Sequence, residues 1–264
     1  KPCQDFGNEH FYYCSTMMNC MFDCSYCYLK GMYPSGHMVI FVNLEDYFEK
    51  LEEMLAKSEI YLCVSYDADL LAMDSLTGYA SAWADFAKKH GNLKIEIRTK
   101  SARMEMWEQC EPASNVIYAF TVAPEEIIAA SEKKTPSAKA RIACAAEGIK
   151  RGFAVRLCFD PMLYLPSWKT DYLQLLSQID RIFGDRMLHD GWEKLVDVSV
   201  GTFRISQEYM KKLRRVEPFA PAVQYPYVNC NGVYQYPPEL LKKMESFMIT
   251  ELTQRMDKEN IYHE

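Results

Sequence analysis

Cys20, Cys24 and Cys27 stand in the run Cys-Met-Phe-Asp-Cys-Ser-Tyr-Cys, a C-x3-C-x2-C triplet in a chain with ten cysteines. Cysteine thiolates hold iron–sulfur clusters, and clusters that only carry electrons use four of them. Here no fourth cysteine follows at close range, so a cubane held by the triplet would keep one iron open to a substrate or cofactor. Two other readings stay open. A zinc site takes four N or S ligands, usually as separated pairs, and His10 and Cys14 upstream could complete one. A disulfide framework fits poorly with a chain of 264 residues that is 49% hydrophobic.

A reactive loop needs a scaffold, and the pattern of the chain supplies one. Strand-like and helix-like segments alternate. Phe11–Met18 reads as a first strand feeding the cysteine loop, and Met38–Val42 as a short extended run. Asn43 caps a helix with Leu44, Tyr47, Phe48, Leu51, Met54 and Leu55 at helical spacing. Further strands are expected at Ile60–Val64, Leu93–Arg98, Val116–Val122, Phe153–Phe159 and Lys194–Val200. Helices are expected at Ser75–His90, Arg103–Gln109, Pro124–Ser131, Ser137–Arg151, Thr170–Phe183 and Pro238–Lys258. Such alternation implies right-handed βαβ units and a parallel sheet. About six units are visible, fewer than the eight of a closed barrel, so one side should be open. The chain reads as one domain over 1–264, with an irregular, tyrosine-rich stretch at 218–238 before the last helix.

Composition narrows the setting. No apolar run reaches the 18 or so residues of a membrane span, and the N-terminus has no basic-then-apolar leader pattern. A start at Lys1 rather than methionine points to residues upstream of it. Cysteines without paired spacing suit a reducing cytoplasm. The net charge is −6, whereas nucleic-acid binders usually carry a basic balance or a basic face. Basic residues do cluster, at Lys211, Lys212, Arg214 and Arg215, and again at Lys133, Lys134, Lys139, Arg141, Lys150 and Arg151. Each cluster alone reads more simply as a solvated helix surface.

The triplet, with aromatic Tyr26 before its last cysteine, resembles the radical S-adenosylmethionine (SAM) superfamily. That resemblance implies a 4Fe–4S cluster on Cys20, Cys24 and Cys27, SAM on the open iron, and a 5′-deoxyadenosyl radical as the reactive species. Residues at the carboxyl ends of the strands should then face the cofactor. Ser65 and Asp67 offer acceptors for its amino group where many members carry Gly-Gly-Glu. Lys100 offers a cation for its carboxylate. Thr121 and Asp160 close the fourth and fifth strands, and Arg204 follows the sixth. Taken singly, Cys63 reads as a buried thiol acting as a small hydrophobe, and Lys100 equally well as a surface lysine.

Cys24-Ser-Tyr-Cys-Tyr-Leu, Phe41-Val-Asn-Leu, Cys63-x-Ser65, Arg98-Thr-Lys100 and Ser137…Arg141-Ile142, in this order, resemble the spore photoproduct lyase family. The resemblance implies a partial (α/β)6 TIM-like barrel of the radical SAM type. It also implies a carbon–carbon lyase that repairs the methylene-linked thymine dimer formed by ultraviolet light in DNA. It places Cys63 as hydrogen-atom donor, Tyr26 and Tyr28 as the radical relay, and Tyr28, Ser65, Asp67, Lys100, Thr121 and Asp160 around the cofactor. Its partners would be SAM, UV-damaged DNA and an electron donor such as flavodoxin or ferredoxin.

Two departures stand against this pattern. Tyr66 separates Ser65 from Asp67, where the family keeps the aspartate directly after the serine. The family's DNA-inserting hairpin is rich in cations, whereas Gln224-Tyr-Pro-Tyr-Val-Asn-Cys-Asn-Gly-Val-Tyr has none. Aromatics stack on bases without help from charge, but phosphate attraction needs cations. A radical SAM enzyme with a peptide or small-molecule substrate therefore stands as the alternative, beside a non-enzymatic, metal-stabilised binding protein.

Overall fold

The structure is a computed structural model and describes residues 5–187 and 191–263. In chain order the strands are β1 (Phe11–Tyr13), β2 (Met17–Met18), β3 (Val39–Ile40), β4 (Ile60–Cys63), β5 (Leu93–Thr99), β6 (Val116–Thr121), β7 (Ala154–Met162), β8 (Asp197–Thr202), β9 (Arg204–Ser206), β10 (Val228–Cys230), β11 (Val233–Gln235) and β12 (Ile261–His263). The helices are α1 (Leu29–Met32), α2 (Leu44–Leu55), α3 (Leu70–Thr77), α4 (Tyr79–Lys88), α5 (Met106–Gln109), α6 (Glu125–Ser131), α7 (Ala138–Lys150), α8 (Trp168–Met187), α9 (Gln207–Val216), α10 (Pro221–Gln224) and α11 (Pro238–Leu252).

A parallel sheet in the order β1-β4-β5-β6-β7-β8-β12 curls into a half-barrel. Its strands read as near-continuous apolar runs because both faces are covered. Every residue of β4, β6 and β8 is buried. The outer helices pack closely. α7 lies so near Trp107 that a Cβ on Gly148 would come within 2.7 Å of the ring's Cη2.

The structure revises several expectations. Phe11–Met18 is not one strand: β1 stays in the main sheet, and the chain then leaves it so that β2 pairs antiparallel with β3. Alternating side chains cannot show where a strand changes sheets. The helix expected at Ser75–His90 is two helices, α3 and α4, broken at Gly78, whose φ of +66° is left-handed. The last helix ends at Leu252, not Lys258, and the chain returns to place β12 beside β8 as a seventh strand. The 218–238 stretch is not irregular either. It holds α10 and the β10–β11 hairpin, which pairs through β11 with β9.

Below the strand ends the barrel interior is charged. Arg156 is 1% exposed and grips Asp197 through two nitrogens while also bonding Glu96 and the Tyr61 hydroxyl. The Phe6 ring covers its guanidinium at 3.4 Å. Burial pushes the Glu96 carboxyl up, but the charges of Arg98 and Arg156 outweigh it and hold Glu96 below its ordinary value.

Candidate active site at the strand ends

The cysteine loop leaves β2 and folds back on itself through two left-handed residues, Asn19 (φ +67°) and Asp23 (φ +52°), residue types that tolerate this region. The Asn19 amide donates to the Ser35 and His37 carbonyls at 3.0 and 2.7 Å. At its centre the Ser25 N–H donates to the Ser131 carbonyl at 2.8 Å, and Lys134 reaches Asp23 at 2.9 Å. The loop thus rests on the α6–α7 corner. After Cys27 the chain enters α1, which packs directly on α9. A Cβ on Gly31 would lie 2.6 Å from the Tyr209 Cα, against rigid backbone. Gly31→Ala is expected to cost about 1–3 kcal/mol of overpacking, read as a lowered urea midpoint of the folded chain; an unchanged midpoint would show that the helices separate freely.

One cavity of about 630 Å³ opens at the carboxyl ends of the strands. Cys20, Cys24 and Cys27 line one side of it, and Cys63, at the end of β4, lines it too. All four are reduced thiols. Burial pushes the Cys20 and Cys24 thiols up to about 12. His10 and Cys14, which a zinc site would have recruited, do not line the cavity. Among the described residues no three His, Cys, Asp or Glu side chains converge as ligands of one metal ion. A cubane needs no such convergence, because each thiolate binds a different iron. The donor set, three thiols on one loop lining open space, each able to bind a different iron on losing its proton, therefore fits a cluster.

The two tyrosines of the loop part company. Tyr26 is buried, and its hydroxyl donates to Glu132, which in turn pairs with fully buried Arg141 at 2.5 Å. Burial pushes Glu132 up, but Lys100 and Arg141 outweigh this and leave it ionised below its ordinary value. Tyr28 donates its hydroxyl to the Tyr66 carbonyl at 2.5 Å. Burial, followed by the influence of Tyr66, Cys27, Asp67 and Cys63, raises its pKa.

The remaining expected residues divide. Lys100 lines the cavity with its ammonium 5.8 Å from the Tyr26 ring. Burial would lower its pKa, yet the neighbouring Glu132 and Cys24 outweigh that and keep it protonated. Ser65 lines the cavity and accepts from the Arg98 N–H at 2.6 Å, which leaves its own proton to donate. Thr121 is in the wall, its carbonyl held by Arg141 at 3.0 Å. Asp160 is also there, 3.5 Å from Arg98 and 3.4 Å from Arg204. Asp67 is not. Its carboxylate lies behind the wall, accepting from Ser15 at 2.5 Å and from the cavity-lining Tyr33 at 2.8 Å. Asp69 takes the wall position instead, capping α3 through Ala72 and accepting from Thr99 and the Lys100 N–H. Its only sequence signal was an aspartate just before an apolar helix start.

Residues 10–215 match the family model described as spore photoproduct lyase. The chain belongs to the spore photoproduct lyase family. It is 24% identical over 183 residues to the spore photoproduct lyase of Clostridium acetobutylicum, an alignment covering 67% of this chain. The chain spans about half the length of that relative, 54%. A solved spore photoproduct lyase variant with bound AdoMet and dinucleoside spore photoproduct superposes at a TM-score of 0.80, with 18% identity, over 94% of this chain and 74% of that one. Streptococcus suis SuiB bound to its precursor peptide SuiA superposes at 0.59, with 12% identity, over 96% of this chain and 48% of that one. Both likenesses establish the half-barrel of this spore photoproduct lyase family member. No helix among the described residues is long and apolar enough to cross a membrane.

Proposed function

We propose that this chain is a radical SAM lyase that repairs spore photoproduct in DNA. The observation that carries the proposal is one cavity that gathers the three-cysteine loop, Lys100 and Cys63 around a shared space. Cys20, Cys24 and Cys27 would hold the 4Fe–4S cluster. Cluster and SAM, when bound, supply a carbon-centred radical. Lys100, kept protonated by Glu132, is suited to a carboxylate, and the Ser65 hydroxyl has a proton left for an acceptor on the ligand.

Cys63 gives its hydrogen atom to the carbon radical left on the substrate, forming C–H as S–H breaks. Tyr28, which lines the same cavity as Cys27 and Cys63, is assigned the return of a hydrogen atom to that sulfur. S–H forms as its O–H breaks, and the radical passes to the phenoxyl oxygen for relay back to the cofactor product. Tyr26, tied to Glu132, positions the loop more than it relays. The uncharged hairpin favours a second reading, in which the same machinery acts on a peptide or small molecule.

Anaerobic reconstitution followed by incubation with dinucleotide spore photoproduct tests the proposal. Release of thymine supports it, and SAM cleavage without thymine release points to the second reading. In the same assay Cys63→Ala is expected to cleave SAM but to lose clean thymine by about tenfold or more, equivalent to about 1.4 kcal/mol of barrier, with side products in its place. Clean product at the wild-type rate would remove Cys63 from the donor role.

A further inference from the structure

The β10–β11 hairpin carries no cation of its own, yet the fold sets one on it. Arg214 of α9 lies over the Tyr234 ring with its guanidinium carbon 5.3 Å from the centroid. The same helix is tied to the hairpin by the Gln207 N–H on the Gly232 carbonyl at 2.8 Å and by Asn229 donating to the Gln207 side chain at 2.9 Å. α9 also reaches the cavity, since Tyr209 and Val216 line it. Lys212 stands three residues after Tyr209 and four before Val216, so it neighbours both on the helix surface. Lys211 and Arg215 occupy the exposed arc between Lys212 and Arg214. Within α9 only Glu208, 3.5 Å from Lys212, offsets these four cations. The cationic arc therefore runs from the cavity wall to the hairpin aromatic.

We infer that the exposed cations of α9 hold the DNA backbone flanking the lesion, taking over the phosphate contacts that the hairpin cannot make. The inference rests on the proposed DNA substrate and goes beyond it by naming the surface. Charge complementarity selects the occupant: the arc is basic on a chain of net charge −6, and an aromatic stacks beside it. Phosphate contacts position a nucleic acid, and aromatics accept its bases. Lys133 and Lys134 are exposed on the α6–α7 corner, where Lys134 meets the cavity-lining Asp23, so the mouth is flanked by cations on a second edge.

The test uses the reconstituted protein and fluorescence anisotropy with a short labelled DNA duplex over a salt series. The triple variant Lys211→Ala, Arg214→Ala, Arg215→Ala changes exposed positions to a strong helix former. Its plot of log affinity against log salt should be shallower by about 3, one unit for each phosphate no longer neutralised. The control Lys57→Ala, Lys89→Ala, Lys94→Ala removes the same charge from exposed positions just before or at the start of β4 and β5, and should keep the wild-type slope. Equal losses in the two variants, or wild-type binding by the α9 variant, or no duplex binding by wild type, would each overturn the assignment. Thymine release from the dinucleotide is read separately on wild type. Its failure sinks the proposed function, and the duplex measurement still judges α9.

Discussion

Cys24→Ala is expected to leave a folded protein that cannot hold a 4Fe–4S cluster. In the proposed assignment the three cysteines of the loop each bind one iron, and Cys24 is the most buried of them at 6% exposure. Two thiolates leave two irons without protein ligands, and the loop has no other thiol to replace the third. The remaining cysteine in the cavity wall, Cys63, belongs to β4. Iron and sulfide content should fall to background after anaerobic reconstitution, and SAM cleavage with it. The fold itself should lose only about 1 kcal/mol. Its loop is held by backbone and side chains that the substitution leaves alone, among them Ser25 on Ser131 and Asn19 on Ser35 and His37. Full cluster occupancy in the variant would refute the assignment of the loop as cluster ligand. A structural zinc site would give the opposite pattern, with stability collapsing as the metal is lost.

Arg156→Ala is expected to produce a large stability loss. The guanidinium is the shared partner of Glu96, Asp197 and the Tyr61 hydroxyl, all buried within the barrel. Removing it strands the Asp197 carboxylate and leaves Glu96 with Arg98 as its remaining cation and the Tyr61 hydroxyl as donor. Breaking a buried pair in this way costs about 3–5 kcal/mol, which for a chain of this size lowers the melting temperature by about 6–20 °C. Arg156→Lys should recover part of that, since it restores a charge but not the two-pronged grip on Asp197. Thermal and urea unfolding of the cluster-free proteins would check both. A cost below about 1 kcal/mol for the alanine variant would mean that the carboxylates relax to solvent or take up protons.

The cysteine loop, the alternating strands and the strand-end positions of Cys63, Ser65, Lys100, Thr121 and Asp160 were legible because they depend on local spacing and on the period of apolar residues. Partnerships across the chain were not. Nothing in the run around Tyr26 announces Glu132, 106 residues away, and nothing at Arg156 names Asp197. Asp67 and Asp69 show the limit at its finest. Both follow β4 by a few residues, and only the course of the loop decides that one turns to Ser15 while the other enters the cavity wall. β12 was hidden for a different reason. A strand of three residues carries too little pattern to read, and only the open edge of β8 gives it a place. The basic run of α9 looked like an ordinary solvated surface because sequence does not say which helix stands beside the hairpin.

The missing side chain at Gly31 has a mechanical consequence. With backbone resting on backbone, α1 and α9 have no compliant layer between them that could absorb a shift. A force applied to the outer face of α9 is delivered to the residues that follow Cys27, and a change in the loop is delivered back. The cysteine loop and the outer face of α9 are therefore coupled through a stiff contact, so that in the reconstituted protein an electron-spin signal from a cluster on the loop should register binding on the far face of that helix.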